Sequence, residues 1–132
     1  MSLAPLLEAS LPIRIHAFSA LAAILIGAVQ LVGRKGTAAH RAFGFTWAVL
    51  MLMIAISSFW IREWRVFGAW SPIHLLSILV LVAVPIGVWN AHQHRIDRHR
   101  SGMLKLYGLA LILTGLFTLL PGRIMHTVVF GN

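Results

Sequence analysis

Four histidines stand at the ends of four long apolar stretches, and their side chains are the groups in this chain best suited to chemistry. They are His16, His40, His74 and His99. An ionisable side chain inside a membrane segment is costly and marks a functional site by default. Imidazole is a good ligand for iron, and two imidazoles from facing helices can bind both axial positions of a haem. The pattern therefore predicts two bis-histidine sites for haem b.

The composition places these histidines in a membrane protein. The chain has 132 residues, of which 59% are hydrophobic and 11% are charged, and its mean hydropathy is +0.87. Soluble domains are about 25% charged. Cysteine is absent, which excludes disulfides, iron–sulfur clusters and c-type haem attachment. The net charge of +8 does not indicate a nucleic acid partner, because the basic residues lie in short stretches between apolar runs.

Four apolar stretches approach the roughly 20 residues that a helix needs to cross a bilayer. They run near 13–32, 40–61, 73–89 and 103–120. Each must be helical, since unpaired backbone groups are too costly in lipid. The connections are short, so neighbouring helices should be antiparallel. The sequence predicts an all-α fold, with residues 1–132 forming a single transmembrane domain that is an integral membrane four-helix up-down bundle.

Three local signals refine these helices. Thr37 and Asp97 are suited to N-cap the second and fourth helices. Pro85 lies inside the third apolar stretch, where its missing N–H should kink the helix or free a carbonyl.

The distribution of basic residues sets the expected orientation. One face of the bundle carries Arg34, Lys35, Arg41, Arg95, Arg98, Arg100 and Lys105, and the other carries Arg14, Arg62, Arg65 and Arg123. The richer face should be cytoplasmic, because basic loops are retained on that side. We therefore expect a multi-pass protein of the cell membrane with both termini outside the cytoplasm.

The same alternation sorts the histidines into pairs. His16 and His74 begin the first and third stretches and should share the outer face, while His40 and His99 begin the second and fourth and should share the inner face. Gly27 lies on the helical stripe of His16 and could leave room for a flat macrocycle. The glycine one turn after His40, Gly44, could do the same. Close helix packing without a cofactor is the alternative role for both glycines.

Arginine side chains near these pairs suit the carboxylates of a haem. Arg41 and Arg100 directly follow the inner histidines, and Arg14 and Arg123 lie near the outer pair. The alternative is that these charges serve membrane topology alone.

Three histidines are not expected to be primary ligands. His92 and His94 lie in a basic loop and are predicted to be surface residues. His126 follows a Pro-Gly turn, is predicted to be interfacial, and is the reserve ligand for the outer pair in place of His16.

Several motifs resemble those of an uncharacterised family of bacterial four-helix membrane proteins. They are Lys35-Gly36-Thr37 with His40-Arg41, Ser57-Ser58-Phe59, and the segments SPIHLLS at 71–77 and FTLLPGR at 117–123. The last two segments are the most specific. The resemblance covers nearly the whole chain. It implies a membrane bundle in the bacterial inner membrane and carries no activity.

A looser resemblance is to the cytochrome b561 family, in which a four-helix core binds two haems b through histidines on alternate helices. That resemblance implies the pairing of His16 with His74 and of His40 with His99. It also implies electron transfer across the membrane.

Two hypotheses follow for function. The first is a di-haem b-type cytochrome, a transmembrane electron-transfer oxidoreductase that accepts electrons from a quinol or a small-molecule reductant. The alternative is a non-enzymatic structural or accessory subunit without haem, which packs in a larger membrane complex or as a homodimer. In that case the histidines would only anchor helix ends at the lipid interface.

Overall fold

The structure, a computed structural model, describes residues 2–60, 72–117, 119 and 124–131. Within these residues the fold is all-helical and contains no strand. In chain order the elements are α1 (Ala4–Leu7), α2 (Leu11–Val32), α3 (Ala38–Ser58), α4 (Pro72–His92), α5 (Ile96–Lys105), a π-helical segment (Leu106–Leu113), α6 (Thr114–Phe117) and α7 (Ile124–Phe130).

Three helices in the described residues are long and apolar enough to cross a membrane: α2, α3 and the part of α4 from His74 to His92. Their outer surfaces carry large apolar side chains, and Leu25 is 70% exposed, Phe45 68% and Leu75 63%. Contiguous apolar surface of this kind is rare on monomeric soluble proteins. These surfaces are therefore suited to contact with lipid.

The fourth apolar stretch differs from a regular helix. α5, the π-helical segment and α6 follow one another without a break, so this helical run begins at Ile96 rather than near residue 103. Asp97 lies in the first turn of α5, and Arg95 occupies the N-cap position. The N-cap prediction for Thr37 agrees with the structure, because its hydroxyl accepts a 3.0 Å hydrogen bond from the backbone N–H of His40.

The long elements pack as a ring. α3 contacts α2 on one side and α4 on the other, and the π-helical segment contacts both α4 and α2. Among the described residues, no Cα atom of α2 lies within 8 Å of one in α4, and the same holds for α3 and the π-helical segment. α2 therefore lies opposite α4, and α3 lies opposite the fourth run.

The buried core of the ring holds aliphatic side chains such as Met51 and Val84 together with Trp47, and Tyr107 packs against it. The indole Nε1 of Trp47 donates to the carbonyl of Ala23 at 3.1 Å, and the hydroxyl of Tyr107 donates to the carbonyl of Ile24 at 3.0 Å. Gly27 lies one turn further along α2, and a Cβ there would meet the ring of Tyr107. The glycine therefore allows the fourth run to approach α2 closely.

The segments flanking this ring meet each other. α1 packs against α7, where Leu6 and Val128 are buried. The backbone N–H of Ser2 donates to the carbonyl of Val128 at 3.0 Å. The part of the chain before α2 and the part after the fourth run thus lie on the same side.

Replacing Gly27 by alanine should destabilise the fold, because the new methyl group overlaps the Tyr107 ring, which its hydroxyl holds against α2. Overpacking of this kind typically costs about 1–3 kcal/mol. We expect a lower thermal unfolding midpoint for the purified protein in detergent.

The control is Gly102→Ala, since no atom outside the local helix lies within 4 Å of a Cβ at that position. That variant should keep the wild-type midpoint or exceed it. An equal loss in both variants would contradict the close approach at Gly27.

Candidate functional site

Buried polar side chains concentrate at one end of the ring, where α2 starts, α3 ends and α4 starts. Among the described residues they are Ser19, Ser57, Ser58, His74 and Ser77. His16 lies at the same end and is partly buried. We call His16, Ser57, Ser58, His74 and Ser77 the outer cluster. A polar cluster inside such an apolar protein is the strongest candidate for a functional site.

The ring of His16 is held by α3. Its Nδ1 lies 2.9 Å from the carbonyl oxygen of Ile54 and 3.2 Å from the hydroxyl oxygen of Ser57. A carbonyl oxygen only accepts hydrogen bonds, so Nδ1 must carry the proton. In the neutral ring this leaves the lone pair on Nε2, which is then the nitrogen able to bind a metal.

His74 is held by different contacts in the same region. Its side chain is only 3% exposed, and its ring stacks on Phe59 with a centroid distance of 5.6 Å and an interplanar angle of 7°. Ser77 lies one turn further along α4 and is hydrogen-bonded through its hydroxyl to Ser58. The end of α3 therefore contacts both helices that carry the outer histidines.

Ser57 and Ser58 were not among the predicted site residues. Their signal in the sequence is a pair of adjacent serines in an otherwise apolar stretch. Serine in a membrane helix can bond its own backbone, as Ser57 does to Ile54 at 3.0 Å and Ser58 to Ala55 at 2.6 Å. Their second role, contact with neighbouring helices, depends on how α3 is rotated.

The inner histidines lie at the opposite end and are less enclosed. His99 is partly buried, and its Nδ1 donates to the carbonyl of Gly87 on α4 at 2.9 Å. His40 is partly buried at the start of α3. The backbone carbonyl of His40 accepts a 2.8 Å hydrogen bond from Gln30. The structure thus brings the predicted inner pair to one end of the ring.

Of the predicted arginines, Arg14 has the most unusual surroundings. Its Nε is buried and has no hydrogen-bond partner among the described residues. A buried donor of this kind needs an acceptor, and a guanidinium favours an anionic one. Arg41 and Arg100 are exposed, and a terminal nitrogen of Arg41 donates to Gly36 at 3.3 Å. Arg123 lies outside the described residues.

The two predicted glycines are packed against protein atoms. Gly27 makes room for Tyr107, and a Cβ on Gly44 would lie 3.1 Å from the side-chain nitrogen of Gln30. Haem contact at either glycine stays a prediction.

The remaining histidines make no hydrogen bond with the outer cluster among the described residues. His92 and His94 are exposed, and the described residues contain no group of three His, Asp or Glu side chains that could hold a metal ion. His126 donates to Leu119 at 2.7 Å and contacts the ring of Phe130 within α7.

Comparison with known proteins decides the family. Residues 13–130 match the family described as "Predicted membrane protein (DUF2306)". The chain belongs to the DUF2306 family. No curated protein and no solved structure matches it. The predicted membership of an uncharacterised membrane-protein family is confirmed, and the resemblance of this DUF2306 protein to cytochrome b561 stays a prediction.

The hydrogen bond between Ser58 and Ser77 should contribute to the stability of this DUF2306 protein. We expect a double-mutant cycle with Ser58→Ala and Ser77→Ala to give a coupling on the order of 1 kcal/mol, as for other hydrogen bonds between membrane helices. The free energy of unfolding in mixed micelles measures it.

A cycle with Ser19→Ala in place of Ser58→Ala is the matched control. Ser19 is also buried but lies on α2. Its coupling to Ser77 should be near zero, and a coupling as large as that of Ser58 would contradict a specific link between α3 and α4.

Proposed function

We propose that this DUF2306 protein is a di-haem b-type membrane cytochrome that transfers electrons across the membrane. One observation carries the proposal: a histidine of each predicted pair donates its Nδ1 proton to a carbonyl on a neighbouring helix. His16 bonds to Ile54, and His99 bonds to Gly87. Metal-binding histidines almost always donate their other ring N–H in this way, which fixes the tautomer and the ring orientation.

The ring of helices supports the pairing. α2 and α4 are opposite each other, as are α3 and the fourth run. His16 with His74, and His40 with His99, therefore come from opposite elements, as two axial ligands on either side of one macrocycle require. A buried core that includes Trp47, Met51 and Val84 lies between the two ends of the ring, which supports two separate sites rather than one.

The residues at the outer end fit a haem. The Nε of Arg14, which has no hydrogen-bond partner among the described residues, would donate to a propionate carboxylate, and the serines of the outer cluster are small. When bound, a haem would supply a one-electron iron centre, and bis-histidine ligation leaves no position open for oxygen chemistry. The residues of the chain would hold the group and exclude water from it.

A surface groove supports the proposal that the electron donor is lipid-soluble, such as a quinol. The groove has a volume of about 280 Å³ and lies between the start of α2 and the end of α3. Its lining is apolar apart from Ser57, whose hydroxyl contacts His16. A small-molecule reductant at the outer face is the other donor class.

We further propose a four-helix up-down bundle in the bacterial inner membrane, with both termini outside the cytoplasm. The contact between α1 and α7 supports it, because an even number of crossings returns the chain to its starting side. The fourth run, from Ile96 to Phe117, is then the fourth crossing. The basic residues Arg34 and Arg95 lie between helices on the opposite side.

The alternative function, an accessory subunit without haem, is favoured by one observation. Gly108 is exposed, and a Cβ there would meet no atom within 4 Å. Exposed small residues let another membrane helix approach closely. A haem spectrum separates the two functions.

The purified protein, expressed with ample haem, should show the Soret band of a low-spin b-type cytochrome. His74→Ala should remove about half of the bound haem, because it removes an axial ligand from one of two sites. Haem content is measured by pyridine haemochrome spectra. His94→Ala, in the exposed loop, is the control and should keep full haem content.

Absence of a Soret band in the wild type would reject the cytochrome. Loss of all haem or of none in His74→Ala would reject two independent sites.

Topology can be tested cleanly because the chain contains no cysteine. We expect Ser2→Cys and Phe130→Cys to react with a membrane-impermeant maleimide on intact cells. Arg34→Cys and Arg95→Cys should react only after the membrane is opened. Labelling of Ser2→Cys and Phe130→Cys from opposite sides would contradict four crossings.

A further inference from the structure

Ser57 and Ser58 end α3, and Phe59 follows them directly. Within the described part of the chain, these three residues touch both sides of the outer site. Ser57 contacts the His16 ring at 3.2 Å, and Phe59 stacks on the His74 ring at 5.6 Å. Ser58, between them, is hydrogen-bonded to Ser77, which lies on α4 one turn after His74.

Helix geometry explains how adjacent residues reach different partners. Successive side chains on a helix are rotated by about 100°, since a turn contains 3.6 residues. Ser57 thus meets α2, while Ser58 meets α4. Adjacent residues at the end of α3 therefore connect the two helices that carry the outer histidines.

The contacts differ in kind, and each restricts its histidine in a different way. The proton on His16 Nδ1 is shared between the Ile54 carbonyl and the Ser57 hydroxyl oxygen, which restricts rotation of the ring and raises its basicity. The stacking of Phe59 on His74 fixes the plane of the His74 ring, because the two rings are only 7° from parallel.

We propose that Ser57 and Phe59 are positioning residues that orient the two axial ligands of the outer haem and tune its reduction potential. This inference rests on the proposed function. Removing the Ser57 hydroxyl takes one acceptor from the His16 N–H, so the imidazole becomes a weaker electron donor to iron. A weaker donor stabilises the oxidised haem less. The outer haem should then have a higher midpoint potential.

The first experiment needs no haem signal. Histidine ring nitrogens are observed by NMR in ¹⁵N-histidine protein reduced with dithionite, so that any low-spin haem is diamagnetic. His16→Ala assigns the His16 resonances. We expect the wild-type ring to be protonated at Nδ1, and Ser57→Ala to shift that resonance. Ser57→Thr, which keeps the hydroxyl, should restore it.

The matched control is Ser19→Ala, a buried serine one turn after His16 on α2. It should leave the His16 resonances unchanged. For the stack, Phe59→Leu should shift the His74 resonances, and Phe18→Leu should not, because Phe18 is 42% exposed on α2. Gel filtration and thermal unfolding confirm that each variant is folded.

The second experiment is a redox titration with low-temperature EPR on the haem-loaded variants. Ser57→Ala should raise one of the two midpoint potentials, and Phe59→Leu should change the g values of the same haem. The other haem should keep its wild-type signals.

The outcomes separate the two proposals. A wild-type Soret band together with unchanged potentials and unchanged His16 resonances in Ser57→Ala would overturn the positioning role alone. Equal shifts in Ser19→Ala would overturn it as well. Absence of haem in the wild type would overturn the proposed function, and with it the axial role of both histidines.

Discussion

The structure depends on one constraint: a polar side chain inside this apolar chain must find its hydrogen-bond partner within the protein. Main-chain carbonyls of neighbouring helices meet that need. Trp47 and Tyr107 donate to consecutive carbonyls of α2, and His16 donates to a carbonyl of α3. A helical carbonyl has a second lone pair after its own ladder bond. Each such bond fixes the rotation of one helix against another, so the acceptors that satisfy polar groups also set the register of the ring.

The same constraint gives the outer end its chemical character. The hydroxyls of Ser57 and Ser58 bond to carbonyls of their own helix and also reach neighbouring helices. The hydrogen-bonding needs of both hydroxyl groups are therefore met within the protein, without water. The exception is the Nε of Arg14, which the described residues leave without an acceptor.

Much of the helical arrangement could be predicted from the sequence, because long apolar runs in lipid must be helices and their ends are marked by residues such as Thr37. The start of the fourth run could not, since the basic residues after Ile96 are typical of a loop as well as of an exposed helical turn. The π-helical segment has no compositional signal. At the site, the alternation of helix directions placed His16 and His74 at one end. The contacts of Ser57 with His16 and of Tyr107 beside Gly27 could not be predicted, because they depend on how each helix is rotated about its axis. A uniformly apolar stripe does not specify that rotation.

The contact between α1 and α7 has a consequence for biosynthesis. Its halves are separated by nearly the whole chain, whereas α2 and α3 are joined by a short connection and can pair as soon as both have been inserted. Long-range contacts form late because they need loop closure. The hydrogen bond between Ser2 and Val128 can therefore form only after every intervening helix is in place. Until then the contact between α1 and α7 cannot hold the two ends of the chain together, so the helices of the ring must assemble without it.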